Sequence, residues 1–86
     1  MKVAVRSIGP LAEALGGRRV EFELPPGANV GVLLDRLAAG RPDAARFLGS
    51  GQRRPAQVFR ARRNLALAEP LAEGDEIDLV VAIAGG

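Results

Sequence analysis

The sequence contains no cysteine, no histidine, no tyrosine and no tryptophan. Lack of cysteine removes disulfides, thiolate metal sites and thiol nucleophiles, and fits a cytoplasmic setting. Lack of histidine removes the commonest general base and the commonest metal ligand. A nucleophile would have to be Ser7 or Ser50, served by Lys2 or a carboxylate, and nothing at readable spacing activates either hydroxyl. Glu73, Asp75 and Glu76 are neighbours, but they read as a solvated turn before a strand. The ten acidic residues are otherwise scattered, so no metal site and no bound cofactor are expected. The chain is therefore not expected to catalyse a reaction alone. Long apolar runs are missing too, which argues against a membrane span. Met1 to Arg6 lacks the apolar core of a signal peptide. A soluble, cytoplasmic protein is the expectation.

Lysine is nearly absent: Lys2 is the only one among twelve basic residues, the rest being arginine. Genome composition accounts for that ratio. The distribution is less even, with Arg53, Arg54, Arg60, Arg62 and Arg63 falling between Ser50 and Leu65 without an acid among them. Such a stretch could hold phosphates, but Phe59 is its single aromatic and stacking on bases would be poor. Nucleic acid is not an expected partner. A binding module built on Arg53–Arg63 is kept as an alternative.

At 86 residues the chain is one domain, spanning 1–86. A domain of this size hides roughly 60% of its unfolded surface and has a stability of order 4–13 kcal/mol. Lys2 to Ile8 alternates apolar and polar residues and reads as a strand. Gly9-Pro10 ends it, Pro10 opens one or two helical turns carrying Leu11 and Leu15, and Gly16-Gly17 stop them. In Arg18 to Leu24, Val20, Phe22 and Leu24 share one face while Arg19, Glu21 and Glu23 share the other, so one side packs and the other meets water. The two strands are expected to pair antiparallel.

Pro25-Pro26-Gly27 is a turn, and Asn29 is a candidate N-cap. Val30, Leu33, Leu34, Leu37 and Ala38 form the apolar stripe of the main helix, with Gly40 as its C-cap and Pro42 barring continuation. Ala44, Ala45, Phe47 and Leu48 suggest a helical turn over one end of the core. A third strand is expected over Ala56 to Arg62, with Phe59 a candidate core residue, a turn at Asn64 and a short fourth strand at Leu65–Leu67. After the Pro70–Asp75 turn, the last strand runs from Glu76 to about Ile83. Ile77, Leu79, Val81 and Ile83 lie on one face; Asp78, Val80, Ala82 and Ala84 lie on the other. One helix packed across a sheet is an α+β solution.

The chain closes on Ala84-Gly85-Gly86. Glycine has no Cβ and accepts conformations closed to other residues. Three residues reach about 10 Å when extended. A tail of that kind, residues 84–86, can thread a narrow channel and present a carboxylate inside another protein's active site. That carboxylate is ionised at neutral pH and unreactive until it is given a leaving group. Adenylation by ATP supplies one, and sulfur can then displace AMP to leave a thiocarboxylate. The catalytic groups belong to partner enzymes, so this chain needs neither cysteine nor histidine.

The order of these pieces resembles the small subunit of molybdopterin synthase, among the β-grasp (ubiquitin-like) sulfur carriers. The resemblance is carried by Val5 to Gly16, by Leu24-Pro25-Pro26-Gly27-Ala28-Asn29-Val30 with Leu33, Leu34 and Leu37, by Pro70 to Ile77, and by Ala84-Gly85-Gly86. It implies a β-grasp fold with a mixed sheet and one main helix across one face. It further implies that Gly86, supported by Gly85, is adenylated by a ubiquitin-activating-type enzyme using ATP. A sulfur donor protein then converts it to a thiocarboxylate, which enters the large subunit of molybdopterin synthase. An apolar docking patch is implied on the last strand, with Val80, Ala82, Ile83 and Ala84 as its residues. Core packing is the competing reading for Val80, Ala82 and Ile83. The chain departs from the family in having Val81-Ala82 where a Pro-Pro pair is frequent, and Arg62-Arg63-Asn64 where an Asn-Gly turn is frequent. Related carriers serve thiamine thiazole synthesis and tRNA thiolation, and some are conjugated to lysines. A β-grasp scaffold with incidental glycines is a further alternative.

Overall fold

A computed structural model describes residues 1–81. Strand β1 (Lys2–Arg6) is followed by helix α1 (Gly9–Leu15), which has Pro10 in its first turn and ends at Gly16. Gly16 is left-handed at φ 94°, and a Cβ there would lie 2.8 Å from a guanidinium nitrogen of Arg41. Strand β2 (Arg19–Glu23) returns antiparallel to β1, pairing Val5 with Val20 and Val3 with Phe22.

The main helix α2 (Val30–Gly40) begins as its sequence dictates: the Val32 N–H donates to Asn29 Oδ1 at 2.9 Å. Val30, Leu33, Leu34 and Leu37 are buried, while Asp35 and Arg36 are exposed. Gly40, the expected C-cap, is instead the last helical residue, and Arg41 is the cap at φ −135°, ψ 83°. Pro42 is the reason, because its ring pushes the preceding residue out of the helical region. A 3₁₀ turn (Pro42–Ala44) and short helix α3 (Ala45–Leu48) follow. Ala44 and Leu48 are buried against the core, but Ala45 is exposed.

Strand β3 (Ala56–Arg60) is two residues shorter than its pattern suggests. The turn falls at Ala61 and Arg62, both left-handed at φ 51° and 68°, and not at Asn64. Asn64 belongs with Arg63 to the two-residue strand β4 (Arg63–Asn64), and Leu65–Leu67 is not a strand. A two-residue hairpin loop of type I′ needs left-handed backbone at both positions, which favours Asn-Gly. Ala and Arg adopt it here at about 1–2 kcal/mol each, because pairing of Arg60 with Arg63 and of Phe59 with Asn64 closes the hairpin at that register.

Strand β5 (Glu76–Val81) completes a mixed five-stranded sheet in the order β2-β1-β5-β3-β4. Among the described residues, only β1 and β5 pair in parallel. This is the β-grasp arrangement, α+β in class. The core gathers Val3 and Val5 of β1, Leu33, Leu34 and Leu37 of α2, and Ile77 and Leu79 of β5.

Much of the basic stretch is structural. Arg54 is buried to 8% exposure and donates to the carbonyls of Leu48, Gly49 and Gly51 and to Asp35. Arg60 donates to Asp75 Oδ2 at 2.8 Å and Glu69 Oε2 at 3.1 Å. Its pKa is raised, first by the hydrogen bond to Asp75, so it stays cationic. Asp75 also accepts the Ala72 N–H, so it anchors the loop before β5 and is not merely a solvated turn residue. Arg63 lies 3.7 Å from Glu69.

Candidate functional site

The side of the sheet away from α2 carries the candidate site. Alternation along β5 sends Ile77 and Leu79 into the core and leaves Asp78 and Val80 outward. Val80 is 49% exposed, so it is a surface residue and not a core one. Phe59 sits one strand away, where β3 pairs it with Asp78. It is half-buried and lies outside the core cluster, contrary to its reading as core, because its neighbour Val58 takes the inward position. Ile8, beyond the end of β1, is 78% exposed.

These three side chains line an open groove of about 650 Å³. This exposed apolar surface is the candidate interaction site. Arg6 and Asp78 cross its floor as a two-pronged pair, Nε to Oδ1 at 2.7 Å and Nη2 to Oδ2 at 3.1 Å. The Asp78 hydrogen bonds raise the Arg6 pKa, followed by the charge of the same carboxylate. Ser7 borders the groove as well; it is 95% buried and its Oγ has no partner among the described residues. Two further guanidinia, those of Arg18 and Arg62, line the groove without an acidic partner among the described residues.

A second apolar recess, about 180 Å³, shares Ile8 and Val80 with the groove and is closed by Leu11, Phe47 and Val81. The apolar surface therefore runs continuously to the end of β5. Of the residues expected to form the site, Val80 is placed on this surface. Ala82, Ile83, Ala84, Gly85 and Gly86 lie outside the described residues.

Ile8, Phe59 and Arg18 were not singled out by sequence as site residues, and Arg62 was named only within the basic stretch of the alternative binding module. Phe59 had a usable signal, since a buried Val58 in an alternating strand turns its neighbour outward. Ile8 had none, because its exposure depends on β1 ending at Arg6. The five-arginine stretch does not form one basic face: Arg54, Arg60 and Arg63 are paired with acids. Among the described residues, no helix is long and apolar enough to cross a membrane.

A search of curated proteins by sequence finds no match. Among solved structures, the chain is similar to SAMP1 from Haloferax volcanii, at 30% identity over all of both chains with a TM-score of 0.84. It is also similar to a chain in the complex of subunits 1 and 2 of the molybdopterin-converting factor from Helicobacter pylori, at 21% identity over all of both chains with a TM-score of 0.66. A third likeness is to a chain of the BexX/CysO complex of Amycolatopsis orientalis, at 22% identity, covering 98% of this chain and 99% of that one, with a TM-score of 0.72. The two likenesses at lower identity establish the shared fold. The ThiS family model matches residues 5–86. By that match and by its β-grasp sheet, the chain belongs to the ThiS family and has the fold of the ubiquitin-like sulfur carriers and modifiers.

Proposed function

We propose that this protein carries sulfur as a thiocarboxylate on Gly86 and delivers it to the pterin precursor of the molybdenum cofactor, as the small subunit of a molybdopterin synthase-type complex. The observation that supports the sulfur-carrier part of this reading is the family match, which extends through Gly85-Gly86. A partner adenylating enzyme of the ubiquitin-activating type would join the Gly86 carboxylate to AMP, with pyrophosphate leaving ATP. A donor protein's persulfide would then attack the carbonyl carbon and release AMP, and a thiol would cleave the S–S bond of the resulting acyl disulfide, leaving the thiocarboxylate on Gly86 and a disulfide on the donor side. Proximity explains why such chemistry suits a small domain: docking through the Ile8–Phe59–Val80 surface holds the tail at high local concentration in the partner's site. The Helicobacter pylori structure, a complex of two subunits of the molybdopterin-converting factor, supports a large-subunit partner.

The test is intact mass. Incubated with its adenylating enzyme, ATP and a sulfur source, the protein gains the mass difference between one sulfur and one oxygen, and tandem spectra place it on Gly86. Deletion of Gly86 stops the gain without unfolding the domain, and Gly85→Val impairs it by adding a branched Cβ to a threading tail. Absence of any mass gain with the adenylating enzyme rejects the carrier reading.

A second reading has one observation in its favour, the 30% identity to SAMP1. SAMP1 of Haloferax volcanii is a small archaeal modifier protein. There the same adenylate would be attacked by a lysine amine of another protein, giving an isopeptide bond. Substrate-linked ladders on a denaturing gel, with Gly86 joined to lysine in peptide spectra, would favour it. Thiamine thiazole synthesis and tRNA thiolation are alternative destinations for the sulfur; transfer assays with each acceptor enzyme separate them.

A further inference from the structure

Arg62 stands out in the groove by its lack of a partner among the described residues. Its backbone is left-handed at φ 68°, the second such residue in the β3–β4 loop, at a position that favours glycine. Its side chain lines the outer groove, yet it has no ion pair among the described residues, while its neighbours Arg60 and Arg63 do. Arg18 lines the groove with the same lack of a partner. The strand order β2-β1-β5-β3-β4 puts Arg18, just before β2, on one flank and Arg62, between β3 and β4, on the other. Val80 and Phe59 lie between them on β5 and β3. Arg6 adds no unpaired charge, because Asp78 neutralises it.

We infer that Arg62, with Arg18 on the opposite flank, is the anion-recognising residue of the groove. The occupant is an acidic protein surface that sets an apolar side chain between Phe59 and Val80 and places carboxylates opposite the two guanidinia. A protein fits better than a nucleic acid. The groove exposes Ile8 and Val80, offers one aromatic ring for stacking, and most of the nearby basic stretch is already neutralised. This assignment rests on the carrier reading for the identity of the partner, the adenylating enzyme, and not for the geometry.

The experiment measures Kd for the purified adenylating enzyme of the same organism without ATP, together with carrier KM in ATP–pyrophosphate exchange and the thermal midpoint of the isolated carrier. Arg62→Gly removes charge and strain together, so its two effects run in opposite directions. Kd and KM rise about fivefold at low salt and the difference shrinks as salt screens the pair. The thermal midpoint does not fall and rises by about 3–6 °C, as relief of strain outweighs the added freedom of glycine. Arg62→Lys, which keeps the charge, recovers most of the affinity. Arg53→Ala, an exposed arginine that does not line the groove, leaves Kd unchanged.

Unchanged Kd in Arg62→Gly at low salt overturns the assignment. An equal loss in Arg53→Ala does so as well, by showing diffuse charge in place of a defined anchor. A fall in thermal midpoint together with affinity assigns Arg62 to the fold and overturns it. If wild type binds a single-stranded RNA 20-mer through Arg62 while Kd for the enzyme is unaffected, the occupant is nucleic acid and the proposal fails. Binding without exchange rejects the carrier reading while leaving the Arg62 effect readable in Kd. No binding of wild type to the enzyme rejects both.

Discussion

Replacing Val80 by aspartate separates docking from folding, because its neighbour in the same strand provides the contrast. Val80 is 49% exposed and Leu79 is 3% exposed. Complete burial of a valine side chain stabilises by about 1.5–3 kcal/mol, so a half-exposed one contributes about 1 kcal/mol. Aspartate in a strand costs up to about 1 kcal/mol more. Val80→Asp should therefore cost about 1–2 kcal/mol, which a domain of about 4–13 kcal/mol survives. Leu79→Asp forfeits a full side-chain burial and also places a carboxylate in the core, at several kcal/mol, and should unfold the protein. At the centre of an interface the Val80→Asp charge would cost at least about 2 kcal/mol, a loss of about 30-fold in affinity. Folding is followed by far-UV circular dichroism in urea, since the chain has neither tryptophan nor tyrosine for fluorescence. Binding is followed by calorimetric titration against the adenylating enzyme. Unfolding of Val80→Asp would refute the outward placement of residue 80. A folded Val80→Asp with wild-type affinity would refute the groove as the docking site.

Other perturbations probe the frame that holds the groove. Leu34→Ala, at a fully buried position facing the sheet, should lower stability by about 2–5 kcal/mol, read as a fall in the urea midpoint with unchanged slope. Asp75→Ala removes the acceptor shared by Arg60 and the Ala72 N–H and should cost about 1.5–3 kcal/mol, whereas Asp75→Asn, which can retain the Ala72 bond, should cost less. Ser7→Ala removes a buried hydroxyl without a partner among the described residues and should leave the midpoint unchanged or slightly raised. A loss of more than about 1 kcal/mol there would show that the hydroxyl is satisfied in solution.

The elements that depend on near neighbours were legible in the sequence. The stripe of α2, its Asn29 cap, the Pro10 start and Gly16 stop of α1, and the alternation of β2 each follow from residues within a turn or two of one another. Pairing between distant segments decided the rest. The basic run looked like one surface because its members are adjacent in sequence. Folding carries Asp75 and Glu69 to Arg60, and Asp35 to Arg54, so paired and unpaired arginines could be told apart only in three dimensions. The hairpin turn moved from Asn64 to Ala61-Arg62 because the register of β3 with β4 outweighed the local preference of asparagine for left-handed backbone. The groove needed the strand order itself. Ile8, Phe59 and Val80 are far apart in the chain and adjacent only because β5 lies between β1 and β3, a long-range arrangement that no local pattern encodes.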